Sequence, residues 1–424
     1  MVQNRSLATQ LSSASDEAAA PRRVSLLWIN HFALPLGEGG GTRHFEVGRE
    51  LGRRNWSVTV AAADFHYISR KYIRRPNAAT RDVVSEPLEG VEFRWFWSAP
   101  YERNDWRRGW NWISFSRSLL DGTRQAHRPD VVIGSSPHLF AALAGERLAR
   151  RWRVPFVLEV RDLWPESMVA AGGRKGPAYY AFERIAHYLY RRAERIVCLA
   201  RGTMTHLERL GVESGKLVYV PNGVDPDAFE GIERPPRDTF TLVYAGAHGP
   251  ANGLDVVLDA AVLLRDDPRF RFLLIGDGPA KEELVRGARE RGLGNVEFRD
   301  PVPKLRMPEV FAEADAGLMV LRDTPLFAYG VSPNKLFDYF GAGLPVVCNV
   351  PGEVASMVEA ARGGELARPG CAESLAAAVR RLWERGAEER KEIGRSARDW
   401  VTREHGRTVL AERLDGALRE LLPA

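Results

Sequence analysis

Short β-branched apolar runs alternate with amphipathic stretches from residue 24 to residue 385. Apolar runs of five to seven residues, bounded by Gly, Pro, Asn or Asp, read as strands buried on both faces, and the stretches between them carry the helical period. In the first half the runs are VSLLWIN (24–30), SVTVAAA (57–63), DVVIGS (130–135), PFVLEV (155–160) and RIVCLA (195–200). The second half repeats the pattern with FTLVYAG (240–246), RFLLIG (271–276), VEFRD (296–300), AGLMVL (316–321) and PVVCNV (345–350). Such alternation predicts an α/β chain of two doubly wound parallel-sheet domains, each Rossmann-like. The segment VPNGVDPDAFEGIERPPRD (220–238) continues neither a strand nor a helix, and places a linker between them. The predicted division is a disordered tail over 1–22, a first domain over 23–225, a second over 226–400, and a C-terminal helix over 401–424 that crosses back. Ligands of such sheets bind beyond the carboxyl ends of the strands, so the cleft between the domains is the expected site.

Composition narrows this picture. The chain has 424 residues and a formal charge of +5. Residues 1–220 hold 33 basic against 22 acidic side chains, whereas the remainder holds 27 against 33. A basic half fits a phosphorylated or anionic-lipid partner as well as a solvated surface, and no nucleic-acid module is present. The three cysteines, Cys198, Cys348 and Cys371, lack metal-ligand spacing and fit a reducing, cytoplasmic setting. No apolar run approaches the length of a membrane span. The segments 93–115 and 70–75 interleave Trp95, Trp97, Trp106, Trp110 and Trp112 with arginines, which predicts either core packing or peripheral contact with an anionic membrane face.

The segment SPNKLFDYFGAG (332–343) carries the most chemistry. Ser332 is a good N-cap and Pro333 suits the first helical position, so a helix start is expected there with its free amides turned to the cleft. Those amides and Lys335 suit a phosphate. Asp338, one turn beyond Asn334, can accept from two vicinal hydroxyls of a ribose. The alternative is an ordinary capped helix with a solvated Asp338. At the end of a strand, LEVRDLWPES (158–167) gathers Glu159, Arg161, Asp162 and Glu166. Arg161 can clamp a phosphate and Asp162 can orient or deprotonate a hydroxyl, or the group is a salt-bridge cluster that shapes the loop. The glycines of GEGGGTRHF (37–45) do not have dinucleotide-fingerprint spacing, and DPD (225–227) reads as a turn rather than a metal site. No cofactor and no metal ion are expected.

The ending GAGLPVV resembles that of the nucleotide-sugar motif of retaining family-four glycosyltransferases. VPNGVD (220–225), LLIGDGP (273–279), NVEFRDPVPKLRMPEVFAEADAGLMVL (295–321) and GGELARPG (363–370) are similar to that family's segments in the same order. The resemblance implies a GT-B fold, a UDP-sugar donor, a lipid-linked or glycosylated acceptor, and retention of anomeric configuration. It implies a donor site of Gly40, Gly41, Gly246, His248, Gly276, Val302, Arg322, Ser332, Pro333, Asn334, Leu336 and Asp338, with Thr42, Arg43 and Glu159 toward the acceptor. Two departures stand out. The first of the family's two donor-site acids falls on Gly330, and the usual Arg and Lys of the diphosphate loop are Ala247 and Asn252. Positive charge must come from Lys335 first and Arg322 second, a pattern that resembles the N-acetylfucosamine transferases of surface-polysaccharide assembly. A non-catalytic nucleotide-sugar or polysaccharide binder and a UDP-sugar epimerase are the competing readings.

Overall fold

The computed structural model describes residues 22–103, 105–170, 174–235, 237–324, 327 and 330–423. The tail expected over 1–22 lies, but for its last residue, outside them.

Eight strands form the first sheet: β1 (Val24–Ile29), β2 (Trp56–Ala63), β3 (Val84–Leu88), β4 (Val91–Phe96), β5 (Val131–Ser135), β6 (Phe156–Val160), β7 (Arg195–Cys198) and β8 (Leu217–Tyr219). Their order is β3-β4-β2-β1-β5-β6-β7-β8. All pairings are parallel except that of β3 with β4. The second sheet holds β9 (Phe240–Ala245), β10 (Phe270–Ile275), β11 (Val296–Arg299), β12 (Ala316–Met319), β13 (Val346–Cys348) and β14 (Gly364–Leu366). Its order is β11-β10-β9-β12-β13-β14, parallel throughout. Both sheets are doubly wound, with the strand order reversing beside β1 and β9, which is where such folds open a crevice for ligands.

Each sheet is covered on both faces, so its inner strands read as unbroken apolar runs. In β1, Leu27 and Ile29 enter one core with Leu139 and Phe156, while Leu26 and Trp28 enter another with Phe45 and Val58. The second sheet has the same two-sided packing. β3, β4, β8 and β14 are strands that the apolar pattern alone does not reveal. β3 and β4 form a hairpin whose outer strand carries Pro87 and alternates half-buried with exposed residues, as an edge strand does. Trp95, taken above with the tryptophan-rich loop, belongs to β4 and is fully buried.

The chain then returns. After the long helix Gly386–His405, the bridge between Val224 and Gly406 pairs the linker with the C-terminal segment, through Val224 N to His405 O at 3.1 Å and Arg407 N to Val224 O at 3.0 Å. The helix Arg407–Arg419 buries Leu410, Ala411, Leu414 and Leu418 in the same core as Leu26 and Trp28. Trp56 Nε1 donates to Asp415 Oδ1 at 2.6 Å across that contact. The last helix is thereby part of the first half's core, and the linker is held from both sides.

Candidate active site

The helix of the SPNKLFDYFGAG segment spans Asn334–Gly341, one residue later than expected. Pro333 is extended and occupies the N-cap position, where it offers no side-chain acceptor. Ser332 is not the cap because its hydroxyl is already engaged: Asn222 of the linker donates its backbone N–H to Ser332 Oγ at 2.8 Å and its side-chain amide to Ser332 O at 2.7 Å. The consequence favours a ligand. Among the described residues no side chain caps the first turn of this helix, which leaves the positive end of its dipole open.

Lys335 rises from that first turn and folds over β9. Its Nζ donates to Tyr244 Oη at 3.1 Å and to Asn252 Oδ1 at 3.2 Å, and stands 4.4 Å from the centre of the Tyr244 ring. A Cβ at Gly246 would lie 3.5 Å from Lys335 Cε, so the glycine gives the lysine stem its path. Part of the residue reaches solvent, but the ammonium group is enclosed, and burial lowers its pKa to about 7. No carboxylate faces it. The Lys335 ammonium group thus touches Asn252, the position where the resembling family has a lysine. Arg322, the second expected cation, is exposed and leans on Asp255 at 3.6 Å.

One turn along, the Asp338 carboxylate presents a buried Oδ1 with no hydrogen-bond partner among the described residues. Burial raises its pKa, with Lys304 and Arg407 opposing. An unpaired buried acceptor of this kind costs about 1–3 kcal/mol unless a ligand supplies a donor. Near Asp338, Lys304 crosses the cleft and donates to Thr42 Oγ1 at 3.3 Å and Glu46 Oε1 at 3.2 Å. Burial works against the Glu46 carboxylate, yet Arg407 and Lys304 hold its pKa at about 2. Lys304 and Glu46 were invisible to sequence reasoning, because no local pattern links residues so far apart.

Gly246, His248 and Gly276 form the floor where β9 and β10 end. A Cβ on Gly276 would sit 1.8 Å from Gly246 O and 3.3 Å from His248 Nε2. His248 is fully buried, burial together with Lys281 lowers its pKa to about 4, and neither ring nitrogen has a hydrogen-bond partner among the described residues. Gly276→Ala is expected to destabilise the fold by roughly 1–3 kcal/mol through overpacking, read as a lower denaturant midpoint at unchanged slope. Val302 is half-buried against the core that contains Leu336, itself fully buried behind the helix start.

A second chamber of about 230 Å³ lies between the halves, lined by Arg161, Asp162, Asn222, Gly330 and Ser332 among others. Arg161 has no ion-pair partner among the described residues, and its Nη2 would lie 3.9 Å from a Cβ on Gly41, so the guanidinium covers the glycine loop. Gly40 is packed under Leu34 and Tyr67, where a Cβ would meet Tyr67 Oη at 2.9 Å. Gly330 explains the missing acid. It has a φ of +89°, and a Cβ there would strike Ala200 Cβ at 2.6 Å and Glu353 Oε2 at 2.8 Å. That carboxylate of Glu353 accepts from the backbone of Arg201 and from Tyr219 Oη at 3.0 Å, filling the space that a side chain would need.

Three residues expected toward the acceptor have other work. Glu159 is fully buried and accepts from Arg43 Nε at 3.0 Å, His44 Nε2 at 2.9 Å, Ser135 Oγ at 2.5 Å and Trp28 Nε1 at 3.4 Å. Arg43 also donates to the carbonyls of Val220, at 2.7 Å, and of Pro221. Burial opposes the charge on Glu159, but His44 and Arg43 drive its pKa well below the usual range. Thr42 spends its hydroxyl on Glu46 at 2.7 Å. Glu159 and Arg43 bind the end of β6 to the linker, while Thr42 meets Lys304 across the cleft. Glu159 is held in a buried salt-bridge cluster, and of that segment's candidates Arg161 and Asp162 line the chamber. Asp225 of the DPD turn accepts from Asp227 N at 3.3 Å and pairs with Arg49 at 3.0 Å. Among the described residues no group of three or more His, Cys, Asp or Glu side chains is arranged to hold a metal ion.

Both halves of the chain are similar to known proteins. Residues 38–223 match the glycosyl transferase 4-like domain, and residues 239–385 match glycosyl transferases group 1. The putative colanic acid biosynthesis glycosyl transferase WcaI of Escherichia coli K12 is 27% identical over 234 residues, a match that spans 51% of this chain and just over half, 56%, of that protein. The 2-deoxystreptamine glucosyltransferase of Streptomyces kanamyceticus is 29% identical over 395 residues, covering 84% of this chain and 92% of its own length. Among solved structures, Anabaena Alr3699/HepE in complex with UDP-glucose superposes with a TM-score of 0.67 at 15% identity, over 94% of this chain and all of the other. The two halves are therefore a glycosyl transferase 4-like domain and a glycosyl transferases group 1 domain, and the chain is a glycosyltransferase of the GT-B fold.

Proposed function

We propose that the enzyme transfers a sugar, an N-acetylated hexosamine, from a UDP-sugar to a hydroxyl of a lipid-linked or glycosylated acceptor, with retention of configuration. The observation that carries the reading is the uncapped helix start at Asn334, with Lys335 enclosed beside it and the orphaned Asp338 oxygen one turn on. Amides that suit a phosphate, a cation and an acceptor that suits a ribose follow one another within the first turns of one helix. UDP is favoured because UDP-glucose is what HepE was solved with, and an acceptor of surface-polysaccharide type because WcaI is named for colanic acid biosynthesis. The variant pattern at Gly330 and Asn252 supports the N-acetylfucosamine transferase subgroup.

In this reading the bond between the sugar's anomeric carbon and the β-phosphate oxygen breaks, and UDP leaves with that electron pair. The helix start and Lys335 hold the charge that grows on the departing phosphate. Arg161, over the glycine loop, faces the same anion from the other half, and Asp162 orients the acceptor hydroxyl and receives its proton as the new bond forms. Gly40 and Gly41 let the loop backbone approach the donor. Asp338→Ala is expected to raise the donor KM by about tenfold to a hundredfold, the worth of 1–3 kcal/mol of charged hydrogen bonding, with kcat changed far less.

A thermal-shift panel of UDP-, GDP- and dTDP-sugars tests the donor assignment. A saturating ligand at a hundred times its Kd adds about 2.7 kcal/mol, so the UDP-sugar that fits gives the largest rise in Tm. Failure of every nucleotide sugar to shift the transition overturns the reading. The absent acid at Gly330 favours a second reading, a non-catalytic nucleotide-sugar binder. It predicts the same shift with no release of UDP in the presence of any acceptor.

A further inference from the structure

The tryptophans of residues 93–115 separate into two groups. Trp95 is fully buried in β4, and Trp112 stacks on His138 with ring centres 5.0 Å apart at 11°. Trp106 and Trp110 do neither: they are 73% and 47% exposed. Both lie on the helix Trp106–Gly122, and with Ile113, also exposed, and Arg117 they follow the spacing i, i+4, i+7 and i+11 that forms one stripe on a helix surface. The opposite face is committed to the core through Asn111, Ser114, Phe115 and Leu119. The neighbouring loop adds Ile68, 58% exposed, and its Arg70 lies within electrostatic reach of Tyr101, as does Arg108 at the start of the helix.

The charge around this stripe is mainly positive, with Glu102 and Asp105 the acids beside it. Arg70, Lys71, Arg103 and Arg117 form no ion pair with the described residues. The nearest acid in the helix, Asp105, is consumed as the N-cap, where it accepts from Arg107 N at 2.9 Å. A monomer gains nothing by holding two tryptophans in water within a field of unpaired cations. The combination matches the zone where acyl chains meet anionic headgroups. Position agrees with this. Trp112 of the same helix touches His138, which packs 6.0 Å from Phe32, and Phe32 lies 5.0 Å from Tyr67, the residue that covers Gly40. The helix that carries the stripe is thus linked through packed aromatic rings to the residues that cover the glycine loop.

We propose that the Trp106–Trp110–Ile113 face docks the enzyme on an anionic lipid bilayer, with the surrounding arginines and lysine on the headgroups. No described helix is long and apolar enough to cross a membrane, so the contact is peripheral. The proposal deepens the reading of a lipid-linked acceptor and rests on it: docking by this face brings the mouth of the chamber to the surface where such an acceptor is anchored.

Co-sedimentation of the full chain with vesicles tests it without turnover. Wild type is expected to bind vesicles of phosphatidylcholine mixed with phosphatidylglycerol and to bind phosphatidylcholine alone at least about tenfold more weakly. The doubles Trp106→Ser/Trp110→Ser and Arg103→Glu/Arg117→Glu are each expected to lose at least about tenfold of that affinity. Both variants lie on the exposed face, and a UDP thermal shift equal to wild type's shows that fold and donor site are intact. Equal binding by the tryptophan variant and wild type overturns the proposal, as does no binding by wild type. A wild-type dimer in light scattering that the tryptophan variant abolishes also overturns it, since the face then belongs to a second copy. Vesicle binding as expected with no shift from any nucleotide sugar leaves the docking surface standing and removes the donor reading instead.

Discussion

Lys335→Ala is expected to lower kcat/KM for the UDP-sugar by about 10²- to 10³-fold, the loss typical of removing one preorganised group that stabilises a developing anion. The effect is large because Lys335 has no carboxylate partner. Its contacts are neutral, Tyr244 Oη and Asn252 Oδ1, and the family's usual cations at 247 and 252 are absent from the loop. The pH dependence has a definite sign. Burial lowers the free-enzyme pKa to about 7, and an incoming diphosphate favours the charged form. Donor affinity should be nearly flat below that value. Above it, binding must take up a proton, and affinity should fall by up to about tenfold per pH unit. Lys335→Arg keeps the charge but not the compact ammonium between Tyr244 and Asn252, and is expected to flatten the pH profile while recovering only part of the rate.

Glu159→Ala is expected to destabilise the protein by about 3–5 kcal/mol, because it strands the buried Arg43 charge beside two backbone carbonyls. Burial already depresses the Arg43 pKa to about 10 even with Glu159 in place. Without the carboxylate, Ser135, His44 and Trp28 also lose their common acceptor. The measurement is a denaturant titration, with a large fall in midpoint as the expected outcome. A variant of wild-type stability whose acceptor KM is raised would show instead that Glu159 contacts the acceptor. Since Arg43 binds Val220 and Pro221, the damage should reach the linker that carries Asn222, and through it Ser332. Some loss of donor affinity should therefore accompany the loss of stability.

How much of this was legible in the sequence depended on whether the signal was local. The buried parallel strands announced themselves as unbroken apolar runs, and the two-sheet architecture followed from their alternation with amphipathic segments. β3 escaped because an edge strand with Pro87 has neither an apolar run nor a full ladder to fill. Lys335 and Asp338 were legible because helix spacing and dipole are properties of a short segment. Ser332 was misread as the cap because the competing donor, Asn222, lies 110 residues away. Glu159 was grouped with Arg161 by adjacency, yet alternation along β6 turns Glu159 into the interior beside Arg43 while the chain beyond it opens to the chamber. The reason for glycine at 330 is a contact with Ala200 and Glu353, and no pattern within its own segment encodes it.

The central claim is that the diphosphate of the donor is held by the Asn334 helix start and Lys335. Calorimetric titration of wild type and Lys335→Met with UDP and with uridine tests it most directly, because the two ligands differ only in the diphosphate. The substitution is expected to weaken UDP by at least about tenfold, the scale of one charge-assisted contact, and to leave uridine unchanged. Equal UDP affinity in the two proteins, or an equal loss for both ligands, would contradict it.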